Sequence, residues 1–259
     1  MAIDISSPKC YTFFSRTNAL EVLRLTKKQR AMVVLERLRA AYPDAECSLD
    51  YGAPHELLIA TRLSAQCTDA RVNIVAKELF STYTSVEAFA NAELSDIERI
   101  IKSCGLYKTK AKDIILMSQM LLSHYGGVVP DTIEELTKLP GIGRKTANLI
   151  VGDVYGKPAV VTDTHVIRIT GRIGLVATKE PAKVEAELRK LLPPDESAMF
   201  CHRLVWHGRA VCMARNPQCG VCTLVDCCKY GEAAMNGGTE PKKKTAVKVG
   251  YPQSGIKRM

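Results

Sequence analysis

Short segments with apolar residues at helical spacing recur from residue 27 to residue 210 and dominate the sequence. In 27–41, apolar side chains fall at positions 31, 34, 35 and 38, which lie on one face of a helix. Strand patterns are scarce, because the β-branched stretch 160–162 is too short to build a sheet. The periodicity therefore predicts an all-α fold.

The same periodicity places further helices along the chain and leaves both ends outside them. Residues 1–26 have no clear period and are interpreted as an N-terminal extension, whereas 231–259 is rich in Gly, Pro, Lys and Thr and is interpreted as a disordered basic tail. Capping-box patterns at 84–87 and 95–98 predict the starts of two helices. The remaining predicted helices are 55–66, 69–83, 111–124, 131–138, 143–154, 181–192 and 196–210.

Composition favours an anionic partner. The 259 residues include 36 Lys and Arg against 27 Asp and Glu, a formal net charge of +9, which favours nucleic acid first and an acidic membrane surface second. The sequence has no apolar run near the roughly 20 residues that span a bilayer, and its start does not resemble a secretory signal. We therefore expect a cytoplasmic protein that is not secreted, whose ten cysteines are thiols or metal ligands.

The most informative segment is 139–151, which reads LPGIGRKTANLIV. It joins the predicted helices 131–138 and 143–154. Gly141 and Gly143 permit a tight turn, and their N–H groups, with the free N–H groups of the next helix, form an anion site suited to a phosphate. Such a backbone contact positions DNA without reading its sequence. The alternative is an ordinary helical corner with a glycine C-cap.

Lys145 and Asp163 are the candidate reactive residues. Lys145 lies at the positive end of its helix beside Arg144, and both charges are expected to lower the pKa of its amine and favour a nucleophile. A lysine that reaches a phosphate is the alternative. Asp163 can cap the following helix. It can also return beside Lys145, because eight or nine residues span up to about 30 Å and the helix advances only about 14 Å.

Four cysteines form a second constellation. Cys212, Cys219, Cys222 and Cys228 have the spacing C-x6-C-x2-C-x5-C, and four thiolates within 17 residues can surround one metal centre. Zinc accepts four thiolates, but zinc ribbons usually present two C-x2-C pairs and this segment has one. Cys227, next to the last of these cysteines, is an alternative ligand.

The hairpin string and the cysteine spacing resemble the endonuclease III family of helix-hairpin-helix DNA glycosylases, over residues 27–230. The resemblance implies that Lys145 and Asp163 form the active pair, and that the cysteines, with Cys228 as the last ligand, hold a [4Fe–4S] cluster. It also implies a base excision repair enzyme that removes oxidised pyrimidines and cleaves the strand 3′ to the abasic site by β-elimination. The partner would be double-stranded DNA with damaged pyrimidines or abasic sites. A monofunctional mismatch or adenine glycosylase lacks the hairpin lysine, and a non-catalytic DNA-binding module leaves the Lys–Asp pair unexplained.

The resemblance also implies DNA contacts. Gln66, in a Ser-Ala-Gln string, would enter the gap left by the flipped base, and Leu106, in the basic stretch 102–112, would wedge between bases. The alternatives are a polar helix end for Gln66 and a core leucine for Leu106. Arg62 is a candidate extension of the DNA surface, and His165 either touches phosphate or caps its helix. The remaining implied DNA contacts are Gly141, Gly143, Arg144 and Thr146.

The implied architecture has two helical lobes. A six-helix barrel over 47–157 contains the hairpin, and a discontinuous iron–sulfur lobe combines 27–46 with 158–230. DNA would lie in the cleft between the lobes, and we expect the protein to act as a monomer.

Overall fold

The computed structural model describes residues 25–236, and within that range the chain has twelve α-helices and no strand. The prediction of an all-α fold is confirmed. Short 3-10 turns lie at Lys102–Cys104, Pro194–Glu196, Cys219–Val221 and Val225–Cys227. The helices are α1 Lys27–Ala41, α2 Pro54–Leu63, α3 Asp69–Thr82, α4 Val86–Ala90, α5 Leu94–Ile101, α6 Tyr107–Tyr125, α7 Ile133–Leu136, α8 Arg144–Asp153, α9 Thr164–Ile173, α10 Pro181–Leu191, α11 Ser197–Ala210 and α12 Lys229–Asn236.

Both predicted capping boxes are wrong. Helix α4 is capped by Ser85, whose hydroxyl accepts from the N–H of Ala88 at 3.1 Å, and α5 begins at Leu94 after Glu93. Both predicted starts were misplaced because a Ser/Thr-x-x-Glu string occurs by chance wherever polar residues are dense. Helix α7 is also shorter than the predicted 131–138.

The predicted tail 231–259 is wrong in its first six residues, which belong to α12. This helix packs against the 3-10 turns of the cysteine loop, and a Cβ added at Gly231 would lie 3.0 Å from the carbonyl oxygen of Val225. Packing on that loop, invisible in the composition, explains the helix. The remainder of the tail, 237–259, and residues 1–24 of the extension lie outside the described residues.

The described chain divides into two compact units, one of residues 47–159 and one of residues 25–46 with 160–236. In the first unit, α2 is the central helix and contacts α3, α6 and α8. Its residues Leu57, Leu58, Ile59 and Ala60 are each at most 1% exposed, so it is apolar on all sides, as a helix inside a core must be. The hairpin between α7 and α8 is therefore joined to a rigid core.

In the second unit, α11 packs against α1 and α9. Close approach of α9 and α11 depends on Gly208, where an added Cβ would lie 2.4 Å from Nδ1 of His165 and 2.9 Å from Cδ1 of Ile169. Within residues 25–236, no helix is long and apolar enough to cross a membrane.

We expect Gly208→Ala to destabilise the protein by about 1–3 kcal/mol, because the added methyl group overpacks the α9–α11 contact. Gly171→Ala is the matched control, since Gly171 lies within α9 and a Cβ there meets nothing within 4 Å. That control should gain about 0.5–1 kcal/mol from helix propensity. Urea unfolding followed by circular dichroism measures both, and equal stabilities of the two variants would contradict the assigned contact.

Candidate active site and metal centre

The hairpin turn is built by Leu139, Pro140, Gly141 and Ile142. The N–H of Ile142 donates to the carbonyl oxygen of Leu139 at 3.1 Å, and Gly141 has φ +74°. Proline at the second position and a positive-φ glycine at the third are the pattern of a type II turn. Gly143, with φ −96°, is the N-cap of α8 and does not need glycine for its backbone conformation.

The amides of this hairpin are available to a ligand. Among backbone hydrogen bonds of residues 25–236, none is donated by the N–H of Gly141 or Gly143, and both residues are exposed. The first-turn N–H groups of α8 add further donors at its positive end. Since Gly143 has no side chain to cap them, an anion can occupy that position.

Arg62 lies directly beneath this turn. Its Nε donates to Oδ2 of Asp113 at 2.7 Å, its Nη2 forms an ion pair with the same oxygen at 2.6 Å, and its side chain is only 13% exposed. A Cβ added at Gly141 would lie 2.6 Å from Arg62 Nε and 2.8 Å from Asp113 Oδ2. The expectation that Arg62 extends the DNA surface is wrong, because its charge is paired inside the unit.

Lys145 is the second residue of α8, and its side chain is exposed beside the exposed Arg144. Thr146 follows and is half-buried. A lysine at the N-terminus of a helix gains nothing from the helix dipole, so its place there is not explained by helix stability. Its amine is open to a substrate.

Asp163 is the N-cap of α9, and its Oδ1 accepts from the N–H of Val166 at 2.7 Å. The capping interpretation of Asp163 is therefore confirmed, whereas that of His165 is wrong. The ring of His165 is half-buried, with Nδ1 3.1 Å from Nη2 of Arg168. Asp163 belongs to the unit of 25–46 and 160–236, and Lys145 to the unit of 47–159.

Gln66 and Leu106 both have left-handed backbones. Gln66, in the loop between α2 and α3, has φ +56° and is exposed. Leu106, immediately before α6, has φ +49° and is 55% exposed. The helix-end interpretation of Gln66 and the core interpretation of Leu106 are both wrong. Non-glycine residues held in this region cost about 1–3 kcal/mol each and cluster at functional sites.

Lys110, in the basic stretch 102–112, holds the loops of Gln66 and Leu106 together from inside the unit. It is 0% exposed, and its ammonium donates to the carbonyl oxygens of Leu63 and Cys104, both at 2.8 Å. Burial lowers the pKa of Lys110. One of the four lysines in 102–112 is thus internal. The helical spacing indicates this burial, because Lys110 lies on the same face of α6 as the buried Ile114 and Met117.

The four predicted ligands line one small pocket: Cys212, Cys219, Cys222 and Cys228. Cys227 does not line it; its side chain is fully buried and donates to the carbonyl oxygen of Leu224 at 3.2 Å. Burial raises the pKa of the Cys222 thiol to about 12. A thiolate there needs a compensating positive charge, which a bound metal supplies.

Hydrogen-bond donors face the sulfurs. Arg172 Nη1 donates to Cys212 Sγ at 3.3 Å, and the N–H groups of Leu224 and Gly231 donate to Cys222 and Cys228, both at 3.4 Å. Donors to sulfur favour the anionic form that ligates iron. Across residues 25–236, no three His, Cys, Asp or Glu side chains converge closely enough to hold a metal ion.

Helix α1 supports this loop through Arg37, which the sequence analysis did not identify. Its guanidinium pairs with the carboxylate of Asp226 and donates to the carbonyl oxygen of Thr223 at 3.2 Å. Burial lowers the pKa of Arg37, but the interactions with Asp226 and Cys227 together outweigh it, so the pKa of Arg37 is raised. The interaction joins residues 189 positions apart and fixes the loop between Cys222 and Cys228.

Comparison with known proteins identifies the family. The sequence profile of the HhH-GPD superfamily of base excision DNA repair proteins matches residues 59–194. Endonuclease III of Synechocystis is 44% identical over 210 residues, covering 81% of this chain and 96% of the relative. Endonuclease III of Bacillus subtilis is 43% identical over 199 residues, covering 76% and 91%.

A solved structure of a trapped endonuclease III–DNA covalent intermediate, an estranged-adenine complex, is 42% identical with a TM-score of 0.77 and covers 82% of this chain and 99% of its own. The chain therefore belongs to the HhH-GPD superfamily of base excision DNA repair proteins and, within it, to the endonuclease III family of DNA glycosylases with AP lyase activity.

Proposed function

We propose that this enzyme removes oxidised pyrimidines from double-stranded DNA with Lys145 as nucleophile and Asp163 as its acid–base partner. The observation that carries the proposal is an exposed lysine in the first turn of the hairpin helix, in a chain 42% identical to an endonuclease III trapped covalently on DNA. A covalent enzyme–DNA intermediate requires a nucleophile, and an amine forms the imine that carries a lyase reaction.

The reaction follows from these two groups. Nζ of Lys145, freed of its proton by Asp163, attacks C1′ of a flipped nucleotide, and the bond to the base breaks with the electron pair leaving on the base. Asp163 stabilises the positive charge that develops on the sugar. The sugar ring opens, with a proton taken up by O4′, to a Schiff base that acidifies the C2′ proton. Loss of that proton forms the C2′–C3′ double bond and breaks the C3′–O bond, whose electron pair leaves on the phosphate of the downstream strand. Hydrolysis of the imine then returns the Lys145 amine and leaves an unsaturated aldehyde on the upstream strand.

The exposed loops supply the proposed DNA contacts. The free amides of Gly141 and Gly143, with Arg144 and Thr146, hold a backbone phosphate without reading sequence. Gln66 fills the gap left by the flipped base and Leu106 inserts between neighbouring bases. Their strained, exposed backbones support this assignment. His165, which is half-buried, contributes a further phosphate contact. We expect one molecule of the protein to act on the duplex.

The four cysteines are proposed to hold a [4Fe–4S] cluster. All four thiols line one pocket, and hydrogen-bond donors face three of them. The single C-x2-C pair in their spacing supports a cluster over a zinc ribbon. When bound, the cluster would cross-link residues 212–228, and the exposed basic residues Arg215 and Lys229 would lie on the surface in or next to the same segment, where they can contact phosphates.

Replacement of Lys145 by Ala should abolish the covalent adduct that borohydride traps on an abasic or thymine-glycol duplex, because no amine remains to form the imine. Denaturing gel electrophoresis measures the adduct and the strand break together. Lys138→Ala is the matched control: its ammonium is exposed and pairs only with Glu135, at 2.6 Å, among the contacts that the structure gives it. Adduct at wild-type yield in Lys145→Ala would refute the assignment.

Asp163→Asn should slow base removal by about 10²-fold or more while DNA affinity changes little. Asparagine is as good an N-cap as aspartate, so helix α9 should remain capped. Single-turnover cleavage of a thymine-glycol duplex gives the rate, and anisotropy gives the affinity. If the rate of base removal at saturating DNA is unchanged, with or without a loss of DNA affinity, Asp163 acts only as the N-cap of α9.

Cys228→Ala should lose iron and sulfide, whereas Cys227→Ala should keep both, because only the first thiol faces the shared pocket. Iron and sulfide analysis of protein purified without oxygen checks this. Stoichiometric zinc without iron in the wild type would refute the assignment of an iron–sulfur cluster. Loss of iron from Cys227→Ala with retention in Cys228→Ala would show that Cys227, and not Cys228, is the fourth ligand.

A further inference from the structure

We propose that the Arg62–Asp113 ion pair is a platform that positions the hairpin turn for DNA, so that both are positioning residues for the reaction. The inference rests on the proposed function, because it assumes that the turn at Gly141 binds a phosphate. It concerns two side chains that do not themselves touch the substrate.

Three separate parts of the chain meet at this point. Arg62 comes from the last turn of α2, Asp113 from α6, and Gly141 from the loop before α8. Helix α2 is the buried centre of the unit, and α6 packs against it. The ion pair therefore holds the turn in a fixed position relative to the buried core of the unit. Gly141 has φ +74°, a backbone conformation that few residues other than glycine adopt.

The geometry of the pair suits a platform. Nε of Arg62 donates to Oδ2 of Asp113, and Nη2 lies 2.6 Å from the same oxygen, so two nitrogens of the guanidinium are held against one carboxylate oxygen. Gly141 lies so close to it that an added Cβ would meet Nε at 2.6 Å, Cδ at 2.7 Å and Asp113 Oδ2 at 2.8 Å. The adjoining amides are those proposed to hold the phosphate, so a shift of the platform moves the donors.

A pair that only stabilised the fold would behave differently. Replacing a buried ion pair by apolar residues of similar volume is often neutral or stabilising. Such a replacement would therefore leave DNA affinity unchanged if the pair were structural only. If the flat guanidinium sets the position of the turn, DNA affinity should fall although stability is kept.

The test compares the full-length wild type with Arg62→Met/Asp113→Leu, both carrying their complement of iron. Anisotropy with a duplex that contains a tetrahydrofuran abasic-site analogue gives Kd, and thermal unfolding gives stability. We expect Kd to rise about tenfold, the effect of losing one hydrogen bond to a charged group, with unchanged Tm. The rate of borohydride trapping at saturating DNA should stay near the wild-type value, because Lys145 is untouched.

If the Kd of the folded double variant stays within about twofold of the wild-type value, the inference is overturned. Should that variant fail to fold, Arg62→Lys decides, since it keeps the charge but loses the planar fork, and Kd should rise about threefold. Unchanged affinity in folded Arg62→Lys would likewise overturn the platform. Failure of the wild type to bind the duplex would instead refute the proposed function.

Discussion

The two loops that carry Gln66 and Leu106 depend on the hydrogen bonds of one buried ammonium, that of Lys110. An ammonium with no solvent exposure is tolerated only when hydrogen bonds replace its hydration, and here the carbonyl oxygens of Leu63 and Cys104 do so at 2.8 Å. Leu63 ends α2, where a positive charge also compensates the helix dipole. Both loops that start from these carbonyls then reach a left-handed residue, Gln66 in one and Leu106 in the other. The strain at the two tips is held by a single buried cation between their bases.

The N-termini of helices α8 and α9 differ in how they are capped. In helix α9, the side chain of Asp163 accepts from the first-turn N–H of Val166. Helix α8 begins after Gly143, which has no side chain to do the same. The difference lies in one residue at the N-cap: a carboxylate occupies the capping position in α9, whereas in α8 that position can take an anion.

Much of the fold follows from the sequence, whereas the contacts around the site do not. The apolar period gives α1 its observed ends, Lys27 and Ala41, because burial of one face is a local pattern. Arg62 pairs with a residue 51 positions away, and Arg37 with one 189 positions away. No local pattern records such pairs, so Arg62 was misread as a surface charge. The exposure of Leu106 is equally hidden, because an apolar residue in a helical region is normally core.

The net charge of +9 is for the same reason a poor measure of the surface that DNA meets. Six basic and two acidic residues lie in 231–259, which accounts for +4, and most of that stretch lies outside the described residues. In the body, Arg62 and Arg37 are neutralised by half-buried aspartates, and Lys110 is internal. Few basic residues remain exposed around the hairpin and the Leu106 loop. They are Lys102, Lys108, Lys112, Arg144 and Lys145. The direction of the electrostatic field at this surface depends on where these charges lie more than on the net charge of the chain. A chain with the same total charge but with arginines free at the positions of Arg62 and Arg37 would bind DNA over more of its surface and hold its hairpin less firmly.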